Sequence, residues 1–195
     1  TNTSDEFFTI TNHNEGTFCV AAYDRFNNES NYACSEASEM ITINFTLHDG
    51  PNLISYSALP LDVGLDNMFA SIEDDIYGIV TQGQSAVRLG NFWVGSLTEI
   101  ISTKGYWVIL DLDDVFAEVN YELLGFPIDS NIQYELMEGP NLISYLGNDD
   151  DSLNVAIPDD IEPYFTGIIT ENEAATFIEG EWLGSLTTFN IGKGY

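Results

Sequence analysis

The sequence predicts a mainly β, β-rich α+β fold, with a strand-forming N-terminal segment and two homologous β-rich repeats that each carry a short helix. Three observations predict it: a heptapeptide that recurs 89 residues later, period-two alternation of apolar residues in both copies, and glycine- and asparagine-rich turns between the apolar runs. The 195 residues are 44% hydrophobic and 13% aromatic, which is enough apolar surface to build cores.

The internal repeat is the strongest signal. Residues 50–56, Gly-Pro-Asn-Leu-Ile-Ser-Tyr, recur without change at 139–145. Without insertions or deletions, 24 of the 64 positions from Ile43 to Tyr106 are identical to those 89 residues later. This repetition predicts three parts: residues 1–40, repeat 1 at 42–130, and repeat 2 at 131–195, which lacks a counterpart of the end of repeat 1.

Within each repeat the apolar spacing indicates the elements in order. Ile43–Leu47 and its copy Ile132–Leu136 alternate apolar and polar residues, which predicts a half-buried strand in each repeat. The turn cluster 48–52 follows, and Leu53–Tyr56 is the next predicted strand.

A short helix is predicted next, because Leu65, Met68, Phe69 and Ile72 fall on one helical face. At the constant offset Pro158 replaces Phe69, so the second helix must be shorter or displaced. The remaining strands of repeat 1 are predicted at 76–87, 93–101, 105–110 and 115–124.

The first forty residues have a different pattern. Gly16-Thr17-Phe18 enters an alternating segment that ends at Asp24, and an Asn-Glu-Ser turn at 28–30 leads into Tyr32–Ser35. This segment, about residues 6–40, resembles the C-terminal strands of a fibronectin type III domain. The resemblance implies three strands of the family's seven, at Phe7–Thr11, Thr17–Tyr23 and Ser30–Ser35.

The two cysteines lie in this segment. In a hairpin centred between Phe26 and Asn27, Cys19 and Cys34 are equally far from the centre and therefore directly opposite each other. We expect a Cys19–Cys34 disulfide, and hence an oxidising compartment. A metal site is the weaker alternative, because neither His13 nor His48 has a spacing typical of zinc ligands.

The charge balance excludes two classes of partner. Thirty-two acidic residues against four basic ones give a formal net charge of −28, which repels phosphate backbones and anionic lipid. No apolar run approaches the roughly 20 residues of a membrane span. We therefore expect no nucleic-acid partner and no membrane.

Acidic clusters leave two interpretations open. One is a solvated surface; the other is a calcium site, since calcium takes several oxygen ligands from such loops. No twelve-residue calcium-loop pattern is present, and no other cofactor is expected. The calcium candidates are Asp111, Asp113, Asp114, Asp149, Asp150 and Asp151.

The sequence contains no spacing of residues that is typical of a catalytic site. Neither histidine has a nucleophilic Gly-x-Ser-x-Gly elbow nearby, and 32 carboxylates offer so many acid pairs that no single pair is informative. The sequence therefore predicts no catalytic residues and a protein that is not an enzyme.

The motifs at 52–56, 93–98 and 104–107 resemble tandem repeats of large secreted or cell-surface bacterial proteins. This resemblance implies location and modularity. The favoured function is a non-catalytic structural or adhesion segment of a large extracellular bacterial protein; the alternative is an accessory carbohydrate- or ligand-binding module of a secreted hydrolase. The expected partners are other domains of the parent protein, with self-association through open strand edges.

Overall fold

The computed structural model describes residues 17–20, 26, 30, 31, 33–36 and 39–195. The chain divides into two compact units, Thr1–Met40 and Ile41–Tyr195. The predicted strand Phe7–Thr11 lies outside the described residues. No helix in the described part of the chain is long and apolar enough to cross a membrane.

The first unit contains one described hairpin. Strands β1 (Thr17–Val20) and β2 (Ala33–Glu36) pair antiparallel, with Cys19 opposite Cys34. This is the register that the disulfide requires. The side chains of these strands are outside the described part, so the disulfide itself stays a prediction.

Repeat 1 is mainly β, as predicted. It contains eight strands, one helix and a 3₁₀ turn at Ala70–Ile72. The elements are β3 (Ile41–His48), β4 (Gly50–Ile54), β5 (Ala58–Leu59), α1 (Leu65–Met68), β6 (Ile76–Thr81), β7 (Gln84–Leu89), β8 (Phe92–Gly95), β9 (Tyr106–Leu110) and β10 (Glu118–Pro127).

Two antiparallel sheets enclose the core of repeat 1. The strand order is β4-β9-β6-β7-β8 in one sheet and β3-β10-β5 in the other. The helical residues Leu65, Met68, Phe69 and Ile72 are all 3% exposed or less, which confirms the face predicted from their spacing. They pack in one cluster with Tyr121 and residues of both sheets.

Repeat 2 has the same plan with fewer strands. The structure places a 3₁₀ turn at Glu162–Tyr164 after the helix. The elements are β11 (Asp151–Ser152), α2 (Leu153–Ala156), β12 (Gly167–Ile169), β13 (Ala174–Ile178), β14 (Glu181–Gly184) and β15 (Thr188–Phe189). They form a sheet β12-β13-β14 and a pair β11-β15.

The predicted strand Ile132–Leu136 is wrong, because no strand forms there. Its counterpart in repeat 1, β3, pairs only with β10. The pairing runs from Ile41 opposite Gly125 to His48 opposite Glu118. In the described residues no strand pairs with 132–136, and Leu136 is 42% exposed where Leu47 is 2% exposed.

The constant offset of 89 is also wrong at the helix. Leu65 N–H bonds to the carbonyl of Thr98, and Leu153 N–H bonds in the same way to Thr187, so Leu65 corresponds to Leu153 at an offset of 88. The second helix is displaced by one residue, as the proline required. Ile157, not Pro158, takes the place of Phe69 after the helix, and its N–H bonds back to Leu153.

The core of repeat 1 depends on a hydrogen bond of Tyr121. This side chain is fully buried, and its hydroxyl donates to the carbonyl of Met68 at 2.8 Å, joining β10 to the end of α1. We expect Tyr121→Phe to lower the free energy of unfolding by about 1–2 kcal/mol, because a buried carbonyl loses its partner. Urea denaturation of the wild type and the variant measures this difference in the free energy of unfolding. Tyr77→Phe, at a site 52% exposed, is the matched control and should change stability by less than about 0.5 kcal/mol.

Candidate functional site

The two repeats meet through short antiparallel backbone contacts. Ile54 of repeat 1 bridges to Lys193 of repeat 2, and Ile143 of repeat 2 bridges to Lys104 of repeat 1. The two bridges are equivalent, because Ile54 and Ile143 are 89 residues apart, and so are Lys104 and Lys193. The contact is therefore self-complementary, like the two-fold interface of a homodimer, although both halves belong to one chain.

Four backbone hydrogen bonds form two pairs that are equivalent in the same way, each pair with one bond from either repeat. We call this contact the junction and define it as residues 53–55, 103–105, 142–144 and 192–194. The bonds run from Ser55 N–H to the Gly192 carbonyl (2.8 Å), from Ser144 N–H to Thr103 (3.2 Å), from Gly194 N–H to Leu53 (3.2 Å) and from Gly105 N–H to Leu142 (3.1 Å).

The serines of the repeated heptapeptide reinforce the junction with their side chains. Ser55 and Ser144 are 0% and 1% exposed. The hydroxyl of Ser55 donates to the carbonyl of Lys193, and that of Ser144 donates to Ser102, both at 2.7 Å. Each serine thus satisfies its buried hydroxyl on the opposite repeat, which explains why a polar residue stands between apolar ones in this segment.

Two glycines let the backbones approach closely. A Cβ on Gly105 would lie 2.8 Å from the carbonyl oxygen of Ile143, and one on Gly194 would lie 2.9 Å from that of Ile54. Real Cβ atoms are essentially never found so close to other heavy atoms. The Lys-Gly-Tyr motif of each repeat therefore needs its glycine for contact with the other repeat.

The two halves of the contact differ in the acceptors of Ser55 and Ser144 and in one further pair of side chains. Gln82 and Glu171 are equivalent, and each accepts a hydrogen bond from a heptapeptide leucine: Leu142 N–H to Gln82 Oε1 at 3.3 Å and Leu53 N–H to Glu171 Oε2 at 3.0 Å. Glu171 has a second partner, because its Oε1 lies 2.7 Å from Nε2 of His48. The charge of Glu171 thus ties repeat 2 to β3 and β4 of repeat 1.

A cleft of about 330 Å³ opens beside this ion pair. His48, Glu171 and Lys193 supply its charged groups, and Phe45, Leu47 and Ile191 are among its apolar walls. The pKa of His48 is raised, first by the hydrogen bond with Glu171 and then by that between its Nδ1 and the Asp49 carbonyl, 2.6 Å away. The cleft is open to solvent and carries one acidic and two basic side chains.

Three of the six acidic candidates for calcium accept hydrogen bonds from other residues. Asp151 accepts bonds from the Tyr145 hydroxyl and from Asn148 N–H, Asp149 accepts one from Ile191 N–H, and Asp114 one from Phe116 N–H. In the described part of the chain, no three acidic, histidine or cysteine side chains converge on a metal position. None of the six candidates, which include Asp111, Asp113 and Asp150, belongs to such a group in the described residues, and calcium binding at any of them stays a prediction.

The shifted ionisable groups fit structural roles. Burial raises the pKa of Tyr106 to about 12, and it also raises those of Tyr56 and Tyr121. The pKa of Asp151 is lowered by the Tyr145 hydroxyl, and that of Asp129 by backbone N–H of Asn131. A general acid for glycoside hydrolysis needs a carboxyl pKa shifted in the opposite direction.

The equivalent tryptophans pack inside their repeats. Trp93 contacts Phe69 (ring centroids 5.7 Å apart), and the guanidinium of Arg88 lies 5.6 Å from its ring. Trp182 packs between Phe165 and Phe177, and its indole N–H donates to Glu162 at 2.8 Å. Both tryptophans are therefore packing residues.

Comparison of the chain with protein-family models, curated proteins and solved structures gave no match. The resemblances to fibronectin type III strands and to secreted bacterial repeats therefore stay predictions.

Sequence reasoning missed the junction and the two side chains that bond to it from outside, Glu171 and Gln82. The identity of Leu53–Ser55 with Leu142–Ser144, together with that of Lys104–Tyr106 with Lys193–Tyr195, was the available signal. Identity alone does not say whether a motif packs within its own repeat or against the other one.

The His48–Glu171 pair predicts a pH dependence of stability. Because the folded pKa of His48 is raised above its ordinary 6.5, its contribution is fully present below about pH 6.5 and is lost as the pH rises through the folded value. The other charged groups around it are Asp49, Lys193 of the cleft and Glu118, its neighbour on β10. We expect the stability difference between wild type and His48→Gln to be largest near pH 5.5 and to shrink towards pH 8.5.

Urea denaturation at a series of pH values measures this difference, and an NMR titration gives the His48 pKa directly. The control Glu173→Gln removes an exposed carboxylate of the same loop, 3.9 Å from Lys193, and should leave the pH profile unchanged. A His48→Gln profile parallel to that of wild type would contradict the assignment.

Proposed function

We propose that the chain is a non-catalytic structural segment of a large extracellular bacterial protein, in which two repeats are locked together as one rigid spacer. The observation that carries this proposal is the reciprocal junction. Its backbone bonds, buried serines and close-packed glycines come from the motifs that the two repeats share. Motif identity supports a role in holding the repeats together rather than in binding a substrate.

The charge of the chain supports an extracellular spacer. A formal net charge of −28 keeps neighbouring segments apart and soluble, and salt screens the repulsion within a Debye length of about 8 Å at physiological ionic strength. The self-complementary junction joins two repeats and no more, because the motif of each repeat already contacts the other repeat. Such a pair forms a fixed unit of a longer array.

The proposal is tested by asking whether the repeats unfold together. The three tryptophans are Trp93 and Trp107 in repeat 1 and Trp182 in repeat 2. In the variant Trp93→Phe/Trp107→Phe, fluorescence reports repeat 2 alone, while far-ultraviolet circular dichroism reports both repeats. We expect the two denaturation curves to coincide, because the junction couples the repeats.

Adding Gly105→Ala to that variant should separate the two curves, since the new Cβ meets the backbone of Ile143 and overpacking costs about 1–3 kcal/mol. Gly64→Ala is the matched control: Gly64 has φ −64°, and the nearest atom to its Cβ is the carboxylate of exposed Asp62. Curves that are already separate before the glycine is changed would show that the repeats are independent beads and would overturn the proposal.

A glycan array distinguishes the spacer from the alternative of a carbohydrate-binding module. Sugar platforms use exposed, coplanar aromatic rings, whereas Trp93 and Trp182 are engaged in packing. Among the described residues, the most exposed aromatic side chains lie on separate elements: Phe92 on β8, Phe116 in the turn before β10, and Tyr164 in the second 3₁₀ turn. We expect no glycan to bind above background, and saturable binding that Tyr164→Ala or Phe92→Ala abolishes would favour the alternative.

A further inference from the structure

The motifs that form the junction fit any pair of these repeats. Leu53–Ser55 is identical to Leu142–Ser144, and Lys104–Tyr106 is identical to Lys193–Tyr195. These motifs and their immediate neighbours make the backbone hydrogen bonds and the close glycine contacts of the junction. On these groups alone, a self-complementary contact joins two copies of repeat 1, or two copies of repeat 2, as well as one of each. The choice of partner therefore depends on residues that differ between the repeats.

Two pairs of equivalent residues beside the junction differ in their chemistry. His48 of repeat 1 corresponds to Met137 of repeat 2, and Gln82 of repeat 1 corresponds to Glu171 of repeat 2. Gln82 and Glu171 each accept a backbone N–H from the other repeat, so both side chains lie against the partner. One is neutral and the other carries a charge.

His48 is held as a cation by two acceptors. Its Nδ1 lies 2.6 Å from the carbonyl oxygen of Asp49, and its Nε2 lies 2.7 Å from Oε1 of Glu171. A carbonyl and an ionised carboxylate only accept hydrogen bonds, so the ring satisfies both by carrying a proton on each nitrogen. The second oxygen of Glu171 accepts Leu53 N–H at 3.0 Å. Both carboxylate oxygens are therefore partnered by repeat 1.

We propose that His48 and Glu171 select the partner of the junction, so that a repeat of the first type takes a repeat of the second type and not a second copy of itself. This inference rests on the proposed role of the junction in locking repeats together. The partner that fits is a repeat with Glu at the position of residue 171, opposite His at the position of residue 48. In a longer array, these two positions set which repeats pair.

Pairs of like repeats lack this contact. In a pair of two repeats 2, Glu171 would face Met137, whose thioether donates no hydrogen bond, and a carboxylate that is 27% exposed would lose its charged partner. In a pair of two repeats 1, His48 would face the neutral amide of Gln82. Exchanging two unlike pairs for two like pairs therefore loses two ion pairs and forms none, which is how a difference between pairings gives specificity.

The test moves the ion pair from one half of the junction to the other within the whole chain. One variant exchanges the acidic position, with Gln82→Glu and Glu171→Gln. A second variant exchanges the basic position, with His48→Met and Met137→His. Each of these leaves a histidine opposite an amide and a glutamate opposite a methionine. The variant with all four substitutions restores a histidine–glutamate pair in the other half.

Urea denaturation at pH 5.5, where His48 is charged, gives the folding equilibrium constant of each variant. We expect each two-residue variant to lower this constant about fivefold, because a partly exposed ion pair and its hydrogen bond are lost. The four-residue variant should return to within about twofold of the wild type, since residues in direct contact have coupled effects. A role in local packing alone would instead make the two losses multiply.

The matched control makes the same exchange two residues further along the chain, with Gln84→Glu and Glu173→Gln. Gln84 donates to the Ser96 carbonyl of its own repeat at 3.3 Å, and Glu173 lies 3.9 Å from Lys193 of its own repeat. This control should change the folding constant by less than about twofold. Adding His48→Met and Met137→His to it should give no recovery.

Two results would overturn the proposal: two-residue variants as stable as the wild type, or a four-residue variant whose loss equals or exceeds the product of the two separate losses. If a two-residue variant does not fold, folding of the four-residue variant supports the proposal and its failure to fold overturns it. Failure of the spacer itself is a different observation, because the fluorescence and circular dichroism curves would then separate before any junction residue is changed.

Discussion

The structure depends on β9 having a hydrogen-bonding partner on each side. This strand joins β4 to β6, and only through it do five strands become one sheet. The heptapeptide at 50–56 shows the effect within a single molecule. Its first copy contributes the strand β4, whereas the second copy, identical in sequence, joins Tyr195 by one bridged pair and forms no strand. Identical residues thus adopt different secondary structure according to whether a strand such as β9 is paired beside them.

The shared motifs have three structural roles. The Gly-Pro-Asn part makes the turn, the Leu-Ile-Ser and Lys-Gly-Tyr parts make the junction, and the tyrosines close the cores. Tyr106 and Tyr195 do the last in the same way: each hydroxyl oxygen accepts a backbone N–H five residues earlier in the chain, from Ile101 and Asn190, at 2.7 and 2.8 Å. The motif is nearly identical in the two copies, and a substitution in it would alter packing within its own repeat as well as the contact with the other repeat.

Local patterns were sufficient for several elements. The helical spacing of Leu65, Met68, Phe69 and Ile72 predicted the buried face correctly, and the alternation of Ile43–Leu47 predicted β3. The same alternation failed at 132–136, where half-buried spacing is present but the pairing strand is not. The junction could not be predicted, because Glu171 and Leu53 are 118 residues apart and no local pattern links them.

The asparagine turn marks what the sequence by itself determined. Asn52 accepts a bond from His48 N–H and donates to the carbonyls of His48 and Gly50, and Asn141 makes the same three bonds with Met137 and Gly139. The partners of these three bonds lie within four residues, so the turn forms in both repeats; Asn52 adds one distant bond, from its side-chain amide to the carbonyl of Val108 at 3.4 Å. The strands, the size of each core and the junction were decided only in the tertiary structure, because a strand's backbone groups are satisfied by residues distant in sequence.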